Sequence, residues 1–161
     1  MPDGQFVDPD TWFSGLPGVV VAAGGAVTDR DGRILLVKPN YRNHWTVPGG
    51  ICEYRESPQE GAARELAEEL GLPLAVGRLL VVDWSLQYGD QHRPIMHFVF
   101  DAGTLADASG ITLQRAELDD VRFTAEAELP SYLPPHVLTR VTGALRALRT
   151  GETLFLPHQP G

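Results

Sequence analysis

Residues 50–72 read GICEYRESPQEGAARELAEELGL, and this stretch decides how the rest of the chain is understood. Its middle carries the signals of a capped helix. Ser57 can accept from the first turn, Pro58 suits the first helical position, and Glu60 completes a capping box. Gly71 stands where a left-handed cap is expected and Pro73 blocks continuation. The spacing predicts a helix over 58–70. At about 100° per residue, Ala62, Ala63, Leu66, Ala67 and Leu70 share one face. Glu65, Glu68 and Glu69 fall within roughly a 100° arc on the other side. Glu65 and Glu69 lie one turn apart, where like charges cost a few tenths of a kcal/mol on a bare helix. A hard divalent cation reverses that sign, because Mg²⁺ and Mn²⁺ prefer carboxylate oxygens. The plainer reading is a solvated face.

The fixed points Gly50, Glu56, Arg64, Glu65, Leu66, Glu68, Glu69, Gly71 and Leu72 make the pattern G-x5-E-x7-R-E-U-x-E-E-x-G-U, where U is aliphatic. At a background of roughly 6–7% per residue type, chance produces its seven single-residue positions about once in several hundred million windows. The chain closely resembles the Nudix hydrolases, whose signature this is. The resemblance implies an α/β (α+β) fold, the Nudix-type α/β/α sandwich with a mixed β-sheet between helices. It implies Mg²⁺ (or Mn²⁺) held by Glu65, Glu68, Glu69 and the backbone carbonyl of Gly49. The reaction implied is hydrolysis of a pyrophosphate bond in a nucleoside diphosphate linked to another moiety: a nucleotide, a sugar nucleotide or a dinucleoside polyphosphate.

Arg64 can hold a carboxylate bidentately, with Glu56 or Glu68 as partner, and so orient the ligands. Gly49 and Gly50 permit a sharp turn and close backbone approach. The general base is either a box glutamate such as Glu68 or a later carboxylate. Residues 117–123, ELDDVRF, are similar to a late family segment, which makes Glu117 the downstream candidate, with Asp120 behind it.

Working outward, residues 1–17 read as an N-terminal arm around Trp12 and Phe13. Residues 18–151 form the hydrolase domain, and 152–161 a short tail. Strands are expected at Gly18–Thr28 and Arg33–Lys38, joined by an Asp-Arg-Asp-Gly turn, then at 44–47, 74–87, 94–102, 111–114 and 121–124. A second amphipathic helix spans Pro135–Thr150, with Val137, Leu138, Val141, Leu145 and Leu148 at helical spacing. This order suits a mixed sheet between helices.

A chain of 161 residues is long enough for one packed domain and short for two. The 43% hydrophobic and 21% charged content is that of an ordinary globular protein. No apolar run reaches the length of a membrane span. The start lacks the pattern of a secretory signal, so a cytoplasmic location is the default expectation. The one cysteine, Cys52, cannot form an internal disulfide and suits a structural role. A net charge of −8 argues against duplex nucleic acid as partner and for a small phosphorylated substrate.

Base recognition needs a stack or slot plus a few polar contacts. Tyr41, Trp45, Trp84, Tyr88, His92, Arg93 and Phe98 can supply them. Trp84 and Phe98 lie in expected strands and suit the core, whereas Tyr88, His92 and Arg93 sit in a polar loop. The substrate-contact set expected is Tyr88, His92, Arg93 and Trp45. Two other readings compete with hydrolysis. One is a non-catalytic nucleotide-sensing module on the same fold, which would tolerate loss of the box carboxylates. The other is an isopentenyl diphosphate isomerase, for which Cys52 lies in the wrong place. A homodimer, common among relatives, would give the Trp12–Phe13 arm a partner.

Overall fold

The computed structural model describes residues 7–86 and 93–157. Its centre is strand β1 (Val20–Thr28), whose apolar run is buried on both faces. One edge of β1 pairs in parallel with β5 (Ile95–Thr104), from Val20 beside Ile95 to Thr28 beside Thr104. The other edge is shared. β2 (Ile34–Pro39) meets it antiparallel at Thr28, and the short β3 (Gly49–Ile51) meets it antiparallel at 22–24. β6 (Leu118–Thr124) extends the sheet beyond β2, antiparallel to it. On the far side β4 (Leu79–Ser85) pairs antiparallel with β5, and β7 (Leu154–Leu156) pairs in parallel with β4. Among the described residues the mixed sheet therefore has seven strands.

Alternation along the strands assigns a helix to each face. Val27, Leu35 and Val37 pack with Leu66 and Leu70 of α2 (Pro58–Leu70). Ala26, Ile34, Leu36, Val81 and Val99 pack with Val137, Val141, Ala144 and Leu145 of α3 (Pro135–Thr150). The α/β/α sandwich expected above is thus present, with one core on each side of the sheet. Each strand of the β1–β2 pair supplies both cores, which explains its near-continuous apolar sequence.

Helix α2 begins and ends as its sequence requires. The Glu60 amide donates to the Ser57 hydroxyl at 3.3 Å, and the Ser57 amide donates to Glu60 Oε2 at 2.8 Å. Gly71 closes the helix at φ 64°, its amide donating to Ala67 O.

Four expectations are corrected, the first being the strand at 44–47, of which only a bridge between Thr46 and Val37 forms. The strand expected at 74–87 occupies only Leu79–Ser85. Upstream of it the Val76 carbonyl accepts from the Gln59 side chain of α2, so a helix side chain takes the place of a ladder. The strand expected at 111–114 is irregular. Its amides at Thr112 and Gln114 donate instead to the Leu70 and Glu69 carbonyls, which satisfies the open end of α2. The expected tail contributes β7, stapled to β4 by parallel pairing. The arm holds a six-residue helix, α1 (Pro9–Ser14), capped by Asp8, with Trp12 and Phe13 stacked edge to face and both exposed.

Candidate active site

Three of the four acidic residues of α2, namely Glu65, Glu68 and Glu69, have different surroundings. Glu69 is 4% exposed, and its Oε2 accepts the Gly49 amide at 2.8 Å. Burial, then the charges of Glu65, Glu117 and Glu68, push its carboxyl up to about 8. Glu65 is shifted in the same direction, again first by burial, with Arg64 pulling the other way. Glu68 projects outward with half its side chain exposed.

Arg64 organises this group. Its Nε and Nη2 grip Glu56 at 2.9 and 3.0 Å, while Nη1 donates to Glu65 at 2.9 Å and to Glu68 at 3.2 Å. Nη2 also reaches the Ile51 carbonyl at 3.1 Å. One guanidinium therefore ties the loop before α2 to two acids on it, and both partners expected from the sequence are engaged.

The glycines are placed by contact. Gly49 sits at φ 147°, and a side chain there would strike the Ala23 carbonyl. At Gly50 a Cβ would strike the Glu65 carboxylate, so only a bare backbone lets that acid lie where it does. Among the described residues, no three His, Cys, Asp or Glu side chains are already drawn into a cation cage.

Glu117 arrives from the far side of the sheet edge. Asn40 holds the segment by its amide to the Glu117 carbonyl at 2.9 Å and by its side chain to the Ala116 carbonyl at 2.8 Å. The Glu117 charge bears on Glu65 and Glu69 alike. Asp120, the other acid considered, lies in β6 and accepts from the following Val121 amide at 2.8 Å.

A cavity of about 840 Å³ opens beside Glu69, Gly49 and Gly50 and runs between the sheet and the N-terminal end of α3. Ala22, Gly24 and Val99 line its sheet side. Its polar wall is formed by Asp83 on β4, His97 on β5, and His136 and Arg140 on α3. Arg140 Nε donates to Asp83 Oδ2 at 2.7 Å, and both residues are buried. Burial holds the His97 imidazole down to about 3, so it is neutral near pH 7.

Of the expected substrate contacts, Tyr88 and His92 lie outside the described residues. Trp45 packs edge-on against Tyr132, with the Arg122 guanidinium nearby, on the α3 core. Arg93 packs against Gly18. Neither Trp45 nor Arg93 lines the cavity, whereas Tyr41, Trp84 and Phe98 do. Asp83, His97, His136 and Arg140 were not singled out from the sequence. The legible signal was Asp83, an acid inside the apolar strand LLVVDWS.

The model of the NUDIX domain family matches residues 18–142. The chain belongs to the Nudix family. It is 33% identical over 106 residues to the putative ADP-ribose pyrophosphatase YjhB of Bacillus subtilis, covering 65% of this chain and 50% of that one. It is 36% identical over 134 residues to a MutT-like protein of Streptomyces ambofaciens, covering 83% and 76%. The chain thus spans half the length of the first relative and three quarters of the second. The crystal structure of a MutT protein from Methanosarcina mazei Go1 superposes with a TM-score of 0.66 at 22% identity, over 85% of this chain and 98% of that one. That likeness is one of Nudix fold. Among the described residues no helix is long and apolar enough to cross a membrane.

Proposed function

We propose that this Nudix chain hydrolyses the pyrophosphate linkage of a nucleoside diphosphate derivative. The observation that carries the reading is the continuity of the acidic face of α2 with the 840 Å³ cavity, joined at Glu69, Gly49 and Gly50. A cavity of that size accommodates a nucleoside. Placed there, it leaves the diphosphate beside the glutamates.

The donor set fits a hard divalent cation. Glu65 and Glu69 are carboxylates raised by burial and by the charges of neighbouring acids, Glu68 and Glu117 among them, and a cation removes that penalty. Glu65, Glu68 and Glu69, with the Gly49 backbone, would hold Mg²⁺ or Mn²⁺, which when bound neutralises charge on the phosphate oxygens. The chain supplies the rest. Arg64 keeps Glu65 and Glu68 aimed by gripping Glu56 at the same time. Glu117 accepts a proton from the attacking water as its oxygen bonds to phosphorus, and the anhydride oxygen leaves with the second phosphate. Glu68, half exposed and held only at 3.2 Å, is the alternative base within the box.

The relatives named above carry ADP-ribose pyrophosphatase and MutT-like designations, which support a nucleotide substrate. The test is a panel of nucleoside diphosphate sugars and dinucleoside polyphosphates with Mg²⁺ or Mn²⁺, read by phosphate-containing products. Metal-dependent release of two phosphorylated products is expected. Turnover undiminished by EDTA would sink the metal role, and binding without turnover would favour the sensing module.

A further inference from the structure

The far end of the cavity from the glutamates has no part in the hydrolysis, yet it carries a built polar wall. Arg140 is 6% exposed, and Asp83 is 8% exposed. The guanidinium gives Nε to Asp83 Oδ2 at 2.7 Å and offers Nη2 to Ser85 Oγ at only 3.4 Å. Its Nη1 makes no hydrogen bond among the described residues, although Arg140 faces the cavity. Asp83 Oδ1 is likewise without a donor among them. Neither atom is sealed off, and both open on the cavity, where water or a bound ligand can pair with them.

The chemistry of the missing acceptor can be narrowed. Arg140 offers only donors, and the Asp83 carboxylate oxygens of the ion pair offer acceptors. Within this pair the two charges cancel, so the pair itself suits a neutral polar group, the other cation of the lining being Arg42. His97, uncharged near pH 7, adds no cation. Ala22 and Val99 line the cavity with small side chains and Gly24 with none, leaving width for a planar ring against the sheet. The open guanidinium N–H groups fit an acceptor edge, which a ring carbonyl with two in-plane lone pairs provides more fully than a lone ring nitrogen. The adjoining carboxylate oxygen then calls for a ring N–H next to that carbonyl.

We propose that Arg140, held in place by Asp83, is a specificity-determining residue that reads the oxo edge of a nucleobase. The class taken is a nucleotide whose base is a 6-oxopurine or a 4-oxopyrimidine. Adenine and cytosine in the same register set an amino donor against Arg140 and a ring lone pair against Asp83, so both contacts turn repulsive. The inference rests on the nucleotide-hydrolase reading given above and deepens it.

The experiment compares GDP-, UDP-, ADP- and CDP-glucose, alike in all but the base, by kcat/KM with Mg²⁺. In parallel, binding of GDP, UDP, ADP and CDP is measured by calorimetry. The guanine and uracil members are expected to exceed the adenine and cytosine members by about tenfold or more in both series, a matched polar contact being worth about that much. Equal values, preference for the amino bases, or no binding of any nucleotide overturns the proposal. Preferential binding without cleavage overturns only the hydrolase reading, and cleavage without preference only this one. The double variant Asp83→Leu/Arg140→Met removes both charges at once, avoiding a stranded buried ion. Its oxo-to-amino ratio is expected to fall to within about twofold, mainly through KM; a folded variant that keeps the ratio counts against Arg140. Should that variant fail to fold, Arg140→Lys, which keeps the charge but loses the planar fork, is expected to lower the ratio in the same direction.

Discussion

The Gly49 amide donates to the Glu69 carboxylate at 2.8 Å, so the strand before the box and the helix inside it are joined through the site itself. That single contact spans two elements that also pair or pack elsewhere. It places the most buried acid of α2 at the mouth of the cavity and leaves its second oxygen available. It also sets a carboxyl raised to about 8 where an ionised one is needed.

A pH dependence follows. The folded-state carboxyl lies above the ordinary value of 4.5, so the folded protein holds the proton more tightly than the unfolded chain. Its contribution to stability is complete below about 4.5 and is lost as pH rises through about 8. In EDTA the wild type should lose Tm relative to Glu69→Gln between pH 5 and pH 8. Mg²⁺ should restore more Tm at pH 8 than at pH 6. A Tm difference between the two proteins that stays flat across this range would contradict the assignment.

Gly50→Ala tests the contact with Glu65. The added methyl meets the far end of a flexible side chain, which can swing aside, so Tm should change little. Displacing the ligand should cost about tenfold or more in kcat and raise the Mg²⁺ concentration at half-activity. Wild-type metal response in this variant would show that Glu65 is not required where it lies.

Glu117→Gln and Asp120→Asn separate the two downstream acids. The first should lower kcat by about tenfold or more. The second should leave it within about twofold, because Asp120 lies in β6 and accepts from its own neighbour, Val121. Equal effects, or a silent Glu117→Gln beside a dead Glu68→Gln, would transfer the base role to Glu68.

Leu66→Ala should cost about 2–5 kcal/mol, since this fully buried side chain joins α2 to β1 and no solvent can fill the gap. Urea unfolding reads the loss. A change under about 1 kcal/mol would mean the α2 layer packs more loosely than its burial indicates.

Much of this architecture was legible because its signals are local. Ser57, Pro58, Glu60 and Gly71 mark both ends of α2 within one short stretch, and the apolar spacing from Val137 to Leu148 marks α3. The strand expected at 74–87 was too long because the Gln59 side chain claims Val76, a pairing across sequence that no local pattern shows. Residues 111–114 have strand-like composition but serve the open carbonyls of α2. The same contrast holds in the site. The glutamates of α2 repeat on one helix and can be read together. Asp83, His97 and Arg140 come from three elements and meet only once the sheet is assembled.

The parallel pairing of β1 with β5 has a consequence for how the molecule is made. Val20 waits for Ile95 and Thr28 for Thr104, so during synthesis the central strand leaves the ribosome with one side unpaired. The β2 and β3 pairings and α2 can form early, but they cover only the opposite edge and one face. Closure must await a distant segment, and chain closure over such separations is slow, on the order of milliseconds to seconds. The flank of residues 20–28 that β5 covers therefore stays open until residues 95–104 have been made.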